Sequence, residues 1–165
     1  MSHVRTYARR RRLAACRSGI ASVELAFVAL FVLVPVVIGM VEIARAVMVK
    51  CILTDAARKG AASAAMNNKT YTDISNDVDD VLNTDHELPA TLSNGKATLT
   101  VTVATWNAST QTYGSDTAVT SSTFAPKQYD KVSVRVAVNA SDVTWAFLKY
   151  TAGDVESETV VMMRQ

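Results

Sequence analysis

Leu25 to Val41 is the longest apolar run in the chain, 17 residues without a charge. Extended back to Ile20 it becomes 22 residues with Glu24 as its one charge, and about 20 apolar residues span a bilayer. Pro35 and Gly39 lie inside this run. Both are tolerated in membrane helices, and Pro35 is expected to remove one backbone bond and loosen the turn before it. The helical pattern continues beyond the run. Ile43, Val47, Ile52, Leu53, Ala56, Ala57 and Ala61 to Ala65 mark an apolar stripe, with Arg45, Lys50, Asp55, Arg58 and Lys59 at polar positions. Gly60 weakens the helix by about 1 kcal/mol relative to alanine, and Asn67-Asn68 is a natural terminator. The predicted helix, residues 20–66, would be about 70 Å long at 1.5 Å per residue. Such a helix needs cover for its apolar face, from its own C-terminal domain and from neighbouring copies.

A second helical pattern follows, and the period shortens to two only from Asn94. Ile74, Val78, Val81 and Leu82 fall at i, i+4, i+7 and i+8, which predicts a short amphipathic helix capped by Thr72 or Asp73 and closed at Leu88-Pro89. After the turn signal Asn94-Gly95, Ala97, Leu99, Val101 and Val103 alternate with polar or small residues up to Trp106, a strand with one buried face. Lys131 to Asn139 predicts a second strand and Ser157 to Arg164 a third. Residues 107–128 read as either a hairpin or a long loop, and Asp142 to Leu148 as either a short helix or an aromatic-bearing loop. Trp145, Phe147 and Tyr150 belong to core rather than to an adhesive surface on this reading. The fold class expected is α+β: a long N-terminal helix, transmembrane in its first half, then a short helix and a small antiparallel sheet.

Charge sharpens the division. Residues 1–19 hold six arginines (Arg5, Arg9, Arg10, Arg11, Arg12 and Arg17) and no acid; the remainder carries 11 Lys/Arg against 15 Asp/Glu, a net of −4. The formal +2 of the whole chain therefore resides in the leader. Beside an apolar span, Arg9 to Arg12 and Arg17 hold that end in the cytoplasm by the positive-inside rule rather than mark a nucleic-acid partner. A signal peptide has a shorter apolar core and a small-residue cut after it; here Glu42-Ile43-Ala44-Arg45 continues as helix. The segments expected are a basic leader over 1–19, a membrane span over 20–41, its periplasmic continuation over 42–66 and a small α+β domain over 67–165.

An ionisable residue inside a span is a functional candidate by default, since burying it costs about 2.5–3.5 kcal/mol at mid-bilayer. Glu24 is that residue. The step Arg17-Ser18-Gly19-Ile20-Ala21-Ser22-Val23-Glu24 resembles the processing junction of type IV prepilins, where a membrane peptidase cuts after the glycine. Residues 17–66 resemble the TadE-like minor pilins, or pseudopilins, of tight-adherence (Tad) pilus systems. The resemblance rests on that junction, Gly39, Glu42-Ile43-Ala44-Arg45, and Asp55-Ala56-Ala57-Arg58-Lys59-Gly60-Ala61. Tyr129-Asp130 and the alternating valines after them add a weaker echo. The family's proline usually falls nearer the glutamate than Pro35 does, and Ala44 stands where a glycine is usual.

The resemblance implies cleavage between Gly19 and Ile20 and an assembly role for Glu24. Glu42, Arg45, Ala57, Arg58 and Gly60 match the family motifs. It further implies a bacterial inner-membrane protein with a periplasmic body, oligomerising through its N-terminal helix. The partners implied are the prepilin peptidase, other pilins and the Tad assembly-platform proteins, in support of adhesion and biofilm formation. Cleavage would free an α-amino group at Ile20, and Glu24 on a neighbouring helix would pair with it, selecting one axial stagger. The alternative for Glu24 is snorkelling to the headgroups.

No catalytic constellation, cofactor site or metal site is expected. His3 and His86 are far apart, there is no nucleophile elbow or phosphate-binding loop, and Cys16 and Cys51 lack metal spacing. Cys51 reads as a packing residue on the helix, or as a bridge between copies in an oxidising periplasm. The acids Asp73, Asp77, Asp79, Asp80, Asp85 and Glu87 lack the calcium-loop pattern and read as a solvated face. Two other classes compete: a signal-anchored periplasmic binding or sensing domain, which would keep its leader, and an envelope enzyme, which would need a convergent polar site.

Overall fold

A computed structural model describes residues 21–85, 88–143 and 153–164. Contacts divide the chain into two units, Met1–Val41 and Glu42–Gln165. Helix α1 runs Ala21–Ala65. In the first unit its described residues carry exposed apolar side chains from Val23 through Val41, and an 18-residue window reaches a mean hydropathy of 2.6. The helix is long and apolar enough to cross a membrane, which fits single-pass anchoring. One turn, Ala29–Leu33, is π-helical: the Val34 N–H donates to the Ala29 carbonyl, five residues back. The turn lies just ahead of Pro35, whose missing N–H breaks the α-helical ladder there, as the sequence predicts. Phe27 and Phe31 stack beside it with ring centroids 5.8 Å apart.

In the second unit the helix acquires an inside. Glu42, Val49, Ile52, Leu53, Ala56, Ala57, Gly60, Ala61 and Ala64 are buried, a 3.5–4-residue repeat that defines one face. The helix stops at Ala65, where Met66 N–H reaches back to the Ser63 carbonyl and Asn68 takes φ 66°, a conformation asparagine tolerates. The apolar stripe expected from the sequence is corrected here. Ile43 and Val47 are 63% and 57% exposed, while Glu42 is buried and Arg45 is half-buried. This part of the helix is apolar on more than one side, so periodicity alone does not choose the face that the body covers.

Helix α2, Tyr71–Asp80, begins with a reciprocal capping box. Thr70 is the cap: its hydroxyl accepts from Asp73 N–H at 3.3 Å, and Asp73 Oδ2 accepts from Thr70 N–H at 2.8 Å. Thr72 and Asp73, the caps expected from the sequence, lie inside the helix, and Asp73 serves instead as the third helical residue of the box. A π-helical turn, Val81–Asp85, follows. Ile74, Val78, Val81 and Leu82 are all buried, as their spacing predicts. Three of the acids make specific tethers. Asp77 accepts from Ser63 Oγ at 2.5 Å and Lys69 Nζ at 3.4 Å, Asp80 from Lys59 Nζ at 3.0 Å, and Asp79 from Leu92 N–H at 2.7 Å.

The box makes a prediction about pH. The backbone and side-chain hydrogen bonds from Thr70 hold the Asp73 carboxyl below the ordinary carboxylate range. A carboxyl depressed in the folded state adds stability above its unfolded value and loses it as pH falls through the folded one. Acidification through and below the ordinary carboxylate range should therefore lower the amide protection at Tyr71 to Ile74, taken relative to the intrinsic exchange rate at each pH. An Asp73→Ala chain should exchange faster at neutral pH and lose most of that acid dependence.

The strands are β1 (Ala97–Ala104), β2 (Trp106–Asn107), β3 (Thr112–Tyr113), β4 (Thr117–Val119), β5 (Lys131–Asn139), β6 (Asp154–Glu156) and β7 (Val160–Met163), with a one-turn helix α3 (Ala140–Val143) after β5. The main sheet is antiparallel in the order β4-β1-β5-β6, with β7 also on β5; β2 and β3 form a separate hairpin. Residues 107–128 are thus hairpin, edge strand and turns together. The turn into β1 uses Gly95 at φ 72°, where glycine carries no Cβ penalty. Asn94 braces it by accepting from Thr91 and Lys96 N–H.

The β1–β5 register places Ala97, Leu99, Val101 and Val103 opposite Val138, Val136, Val134 and Val132. All eight side chains lie on one face, and a one-residue slip would turn the whole set outward. This face joins the buried side of α1, Ile74 and Val78 of α2, and Leu82 of the π-helical turn after it in one core. The third strand expected over Ser157 to Arg164 is shorter, and it shares its edge of β5 with β6. Between them Ser157, 5% exposed, donates its N–H to the Val136 carbonyl at 2.8 Å and accepts Val136 N–H on its hydroxyl at 2.9 Å. A side-chain oxygen thus replaces a ladder carbonyl, and the edge breaks without leaving a buried donor unpaired. Of the aromatic residues read as core, Trp145, Phe147 and Tyr150 lie outside the described residues.

Candidate assembly site on the long helix

Glu24 lies on the exposed surface of α1, and it is the one charge between Ile20 and Val41. Gly19, Ile20 and the arginines Arg9, Arg10, Arg11, Arg12 and Arg17 lie outside the described residues. Gly39 is open: a Cβ built there meets nothing within 4 Å. The stem therefore offers an apolar surface with a single acid and a small-residue gap, with no side chain of the stem filling that gap.

The motif residues separate into two groups. Glu42, Ala57 and Gly60 face inward. Half-buried Arg45 donates from Nε to the Val143 carbonyl at 3.1 Å, which ties α1 to the C-terminal end of α3. Gly60 sits where α1 passes α2 and β5: a Cβ there would lie 2.6 Å from Val78 Cγ2 and 3.3 Å from Val134 Cγ1. These residues hold the body on the helix. Arg58 belongs to the other group. It is exposed and pairs with Asp55 at 3.0 Å, a surface pair worth about 0–1 kcal/mol. Beside it Val47, Lys50, Cys51, Thr54 and Glu158 line a shallow cleft. Cys51, expected as a packing residue on the helix or a bridge between copies, is a free thiol on this exposed side, so the body does not cover it.

Two anchors carry no signal strong enough to stand out in the sequence. Thr54 Oγ1 donates to the Lys50 carbonyl at 2.8 Å and accepts from Glu158 N–H at 3.5 Å, so a helix hydroxyl meets the sheet where its edge breaks. Asp130 is 3% exposed; Oδ1 accepts Trp106 N–H at 2.9 Å and Oδ2 accepts Lys127 N–H at 2.7 Å. Its own carbonyl accepts Arg164 N–H at 3.0 Å. Asp130, just ahead of β5, thereby holds the start of β2 with its carboxylate and the residue after β7 with its carbonyl. Only the Tyr129-Asp130 pair hinted at it, with Tyr129 at φ 70°. Asp130→Ala strands two amide donors and should cost about 1–3 kcal/mol, read as a lower urea midpoint. Asp130→Asn should recover part of this, since its single carbonyl oxygen accepts where two carboxylate oxygens did.

Residues 19–62 match the family model of the TadE-like proteins. The match covers the first turns of the stem, Glu24, Glu42, Arg45, Ala57, Arg58 and Gly60, and ends before α2, so it describes the helix and not the sheet. It links the chain to the proteins of tight-adherence pilus systems. No curated protein and no solved structure matches the chain.

Proposed function

We propose that the chain is a minor pilin or pseudopilin, a structural and assembly subunit of a Tad-type pilus that supports adhesion and biofilm formation. The observation that carries this reading is the placement of Glu24. It is a lone carboxylate on an otherwise apolar stem, five residues beyond Gly19, inside the TadE-like match. The arginine-rich leader stays in the cytoplasm, the stem spans the bacterial inner membrane and the α+β body occupies the periplasm. A prepilin peptidase cuts between Gly19 and Ile20. The new ammonium of Ile20 and Glu24 of an adjacent helix then satisfy each other in lipid, where either alone is costly. Other pilins and the platform proteins meet the same helix. The reading assigns no catalytic residue, and the protein's work is assembly.

Intact mass of the protein recovered from membranes tests the cleavage. Wild-type chain co-expressed with its prepilin peptidase should lack residues 1–19, and Gly19→Phe should retain them. A wild-type chain that keeps the leader in the presence of the peptidase overturns the proposal and favours the signal-anchored periplasmic domain.

A further inference from the structure

Beyond α1 and Met66, the described large apolar side chains that are exposed are Tyr113, Tyr129, Val161 and Met163, and they gather at one place. Tyr113 Oη donates to Met163 Sδ at 2.9 Å, and Tyr129 N–H donates to the Arg164 carbonyl at 3.0 Å. Val161 and Met163 are alternate residues of β7, 48% and 61% exposed. Solvent-exposed apolar patches of this kind mark interaction surfaces.

The backbone of β7 adds a second, independent feature. Arg164 exchanges hydrogen bonds with Tyr129 and Asp130, so in an antiparallel strand Met162 and Val160 also turn their N–H and C=O groups toward β5. Val161 and Met163 then turn theirs away, to an edge on which no described strand lies. Native sheets blunt such edges with lysine, proline or inward charge. Residues 157–164, Ser-Glu-Thr-Val-Val-Met-Met-Arg, contain neither lysine nor proline.

We propose that β7 is the interface through which the bodies of two copies of this chain join, edge to edge and antiparallel, about a two-fold axis at Val161. Charge selects both the partner and the register. The segment begins at exposed Glu158 and ends at half-buried Arg164, whose Nε donates a long 3.5 Å bond to Asn67 Oδ1 at the surface, and antiparallel pairing centred on Val161 sets each Glu158 opposite the partner copy's Arg164. Thr159 then faces Met163, and the exposed patches of the two copies become continuous. The contact is isologous, as a two-fold axis requires, and it is separate from pairing through the stem.

The test uses full-length chain in membranes, in a Cys16→Ser/Cys51→Ser background. Val161→Cys should form an oxidant-dependent homodimer with at least about tenfold the yield of Thr98→Cys, whose thiol would lie on β1 away from the axis; Cα atoms of facing strand residues fall within disulfide reach. Glu158→Arg or Arg164→Glu in the Val161→Cys chain should each lower that yield by about tenfold, and the two together should restore it, because a like-charge pair replaces an opposite-charge pair twice per dimer. Proline is tolerated where its N–H would face an open edge. Val161→Pro should therefore keep the wild-type urea midpoint while abolishing the dimerisation that survives loss of the Glu24 pairing. Equal cross-linking at positions 161 and 98, a cross-link to a different polypeptide, or a charge swap that fails to restore the yield overturns the proposal.

Discussion

A Glu24→Ala chain is expected to lose its leader normally and yet enter pili or pilus-assembly complexes at a level at least about tenfold below wild type, the equivalent of about 1.4 kcal/mol. On the proposed function the peptidase reads the junction at Gly19, five residues upstream of the acid, so trimming should be indifferent to the change. Assembly should not be. In an apolar medium a freed ammonium at Ile20 has few partners, and a buried charge that loses its partner costs more than the pair gained. Glu24→Gln should behave like Glu24→Ala, because it keeps a hydrogen-bonding amide but not the charge. Glu24→Asp should fall between them and wild type. Immunoblots of sheared pilus and membrane fractions, paired with intact mass, read both halves of the prediction. Wild-type levels of assembled Glu24→Ala protein would show that the acid only snorkels to the headgroups.

Gly60→Ala should destabilise the folded body by about 1–2 kcal/mol, although helix propensity favours alanine over glycine by about 1 kcal/mol. The contact at the crossing decides the sign. The added methyl would lie 2.6 Å from Val78 Cγ2 and 3.3 Å from Val134 Cγ1, so α2 or β5 must shift, and overpacking typically costs about 1–3 kcal/mol. Gly60→Val should cost more, since its branches meet the same neighbours and the valine itself is a poorer helix former. Trimming the obstacle gives the matching test. In Gly60→Ala/Val78→Ala the new methyl occupies space vacated by the valine, so the double variant should be more stable than the sum of the singles predicts. Urea midpoints of the full chain in detergent measure this. A Gly60→Ala chain more stable than wild type would mean that α2 yields at no cost.

Ile74, Val78, Val81 and Leu82 were legible in the sequence because a helix with one apolar stripe has a single way to face a core. The valines of β5 were legible because period two admits one buried face. The loosened turn before Pro35 was legible because a missing N–H acts on its own helix and needs no partner, although its π-helical form was not. Glu42 and Arg45 were not placed correctly: both are polar on a helix that is apolar around most of its girth, and the body rather than the periodicity brought them inward. The acids of α2 looked like a solvated face because the lysines, serine and backbone amides that engage three of them come from other parts of the chain. Ser157 and Asp130 resemble ordinary surface residues until the strands they join are in place.

By itself the sequence determined what is local: a membrane-length apolar stem with one acid, a helix carried past it, a second amphipathic helix and alternating strands. Each follows from side-chain period, backbone donors and solvent partition within a few neighbouring residues. Tertiary structure alone decided which face of α1 is covered, why residue 60 has no room for a methyl group, how a serine interrupts a sheet edge and where β7 lies open. Those outcomes depend on atoms distant in sequence that meet only when the helix and sheet are packed, and no periodicity records them.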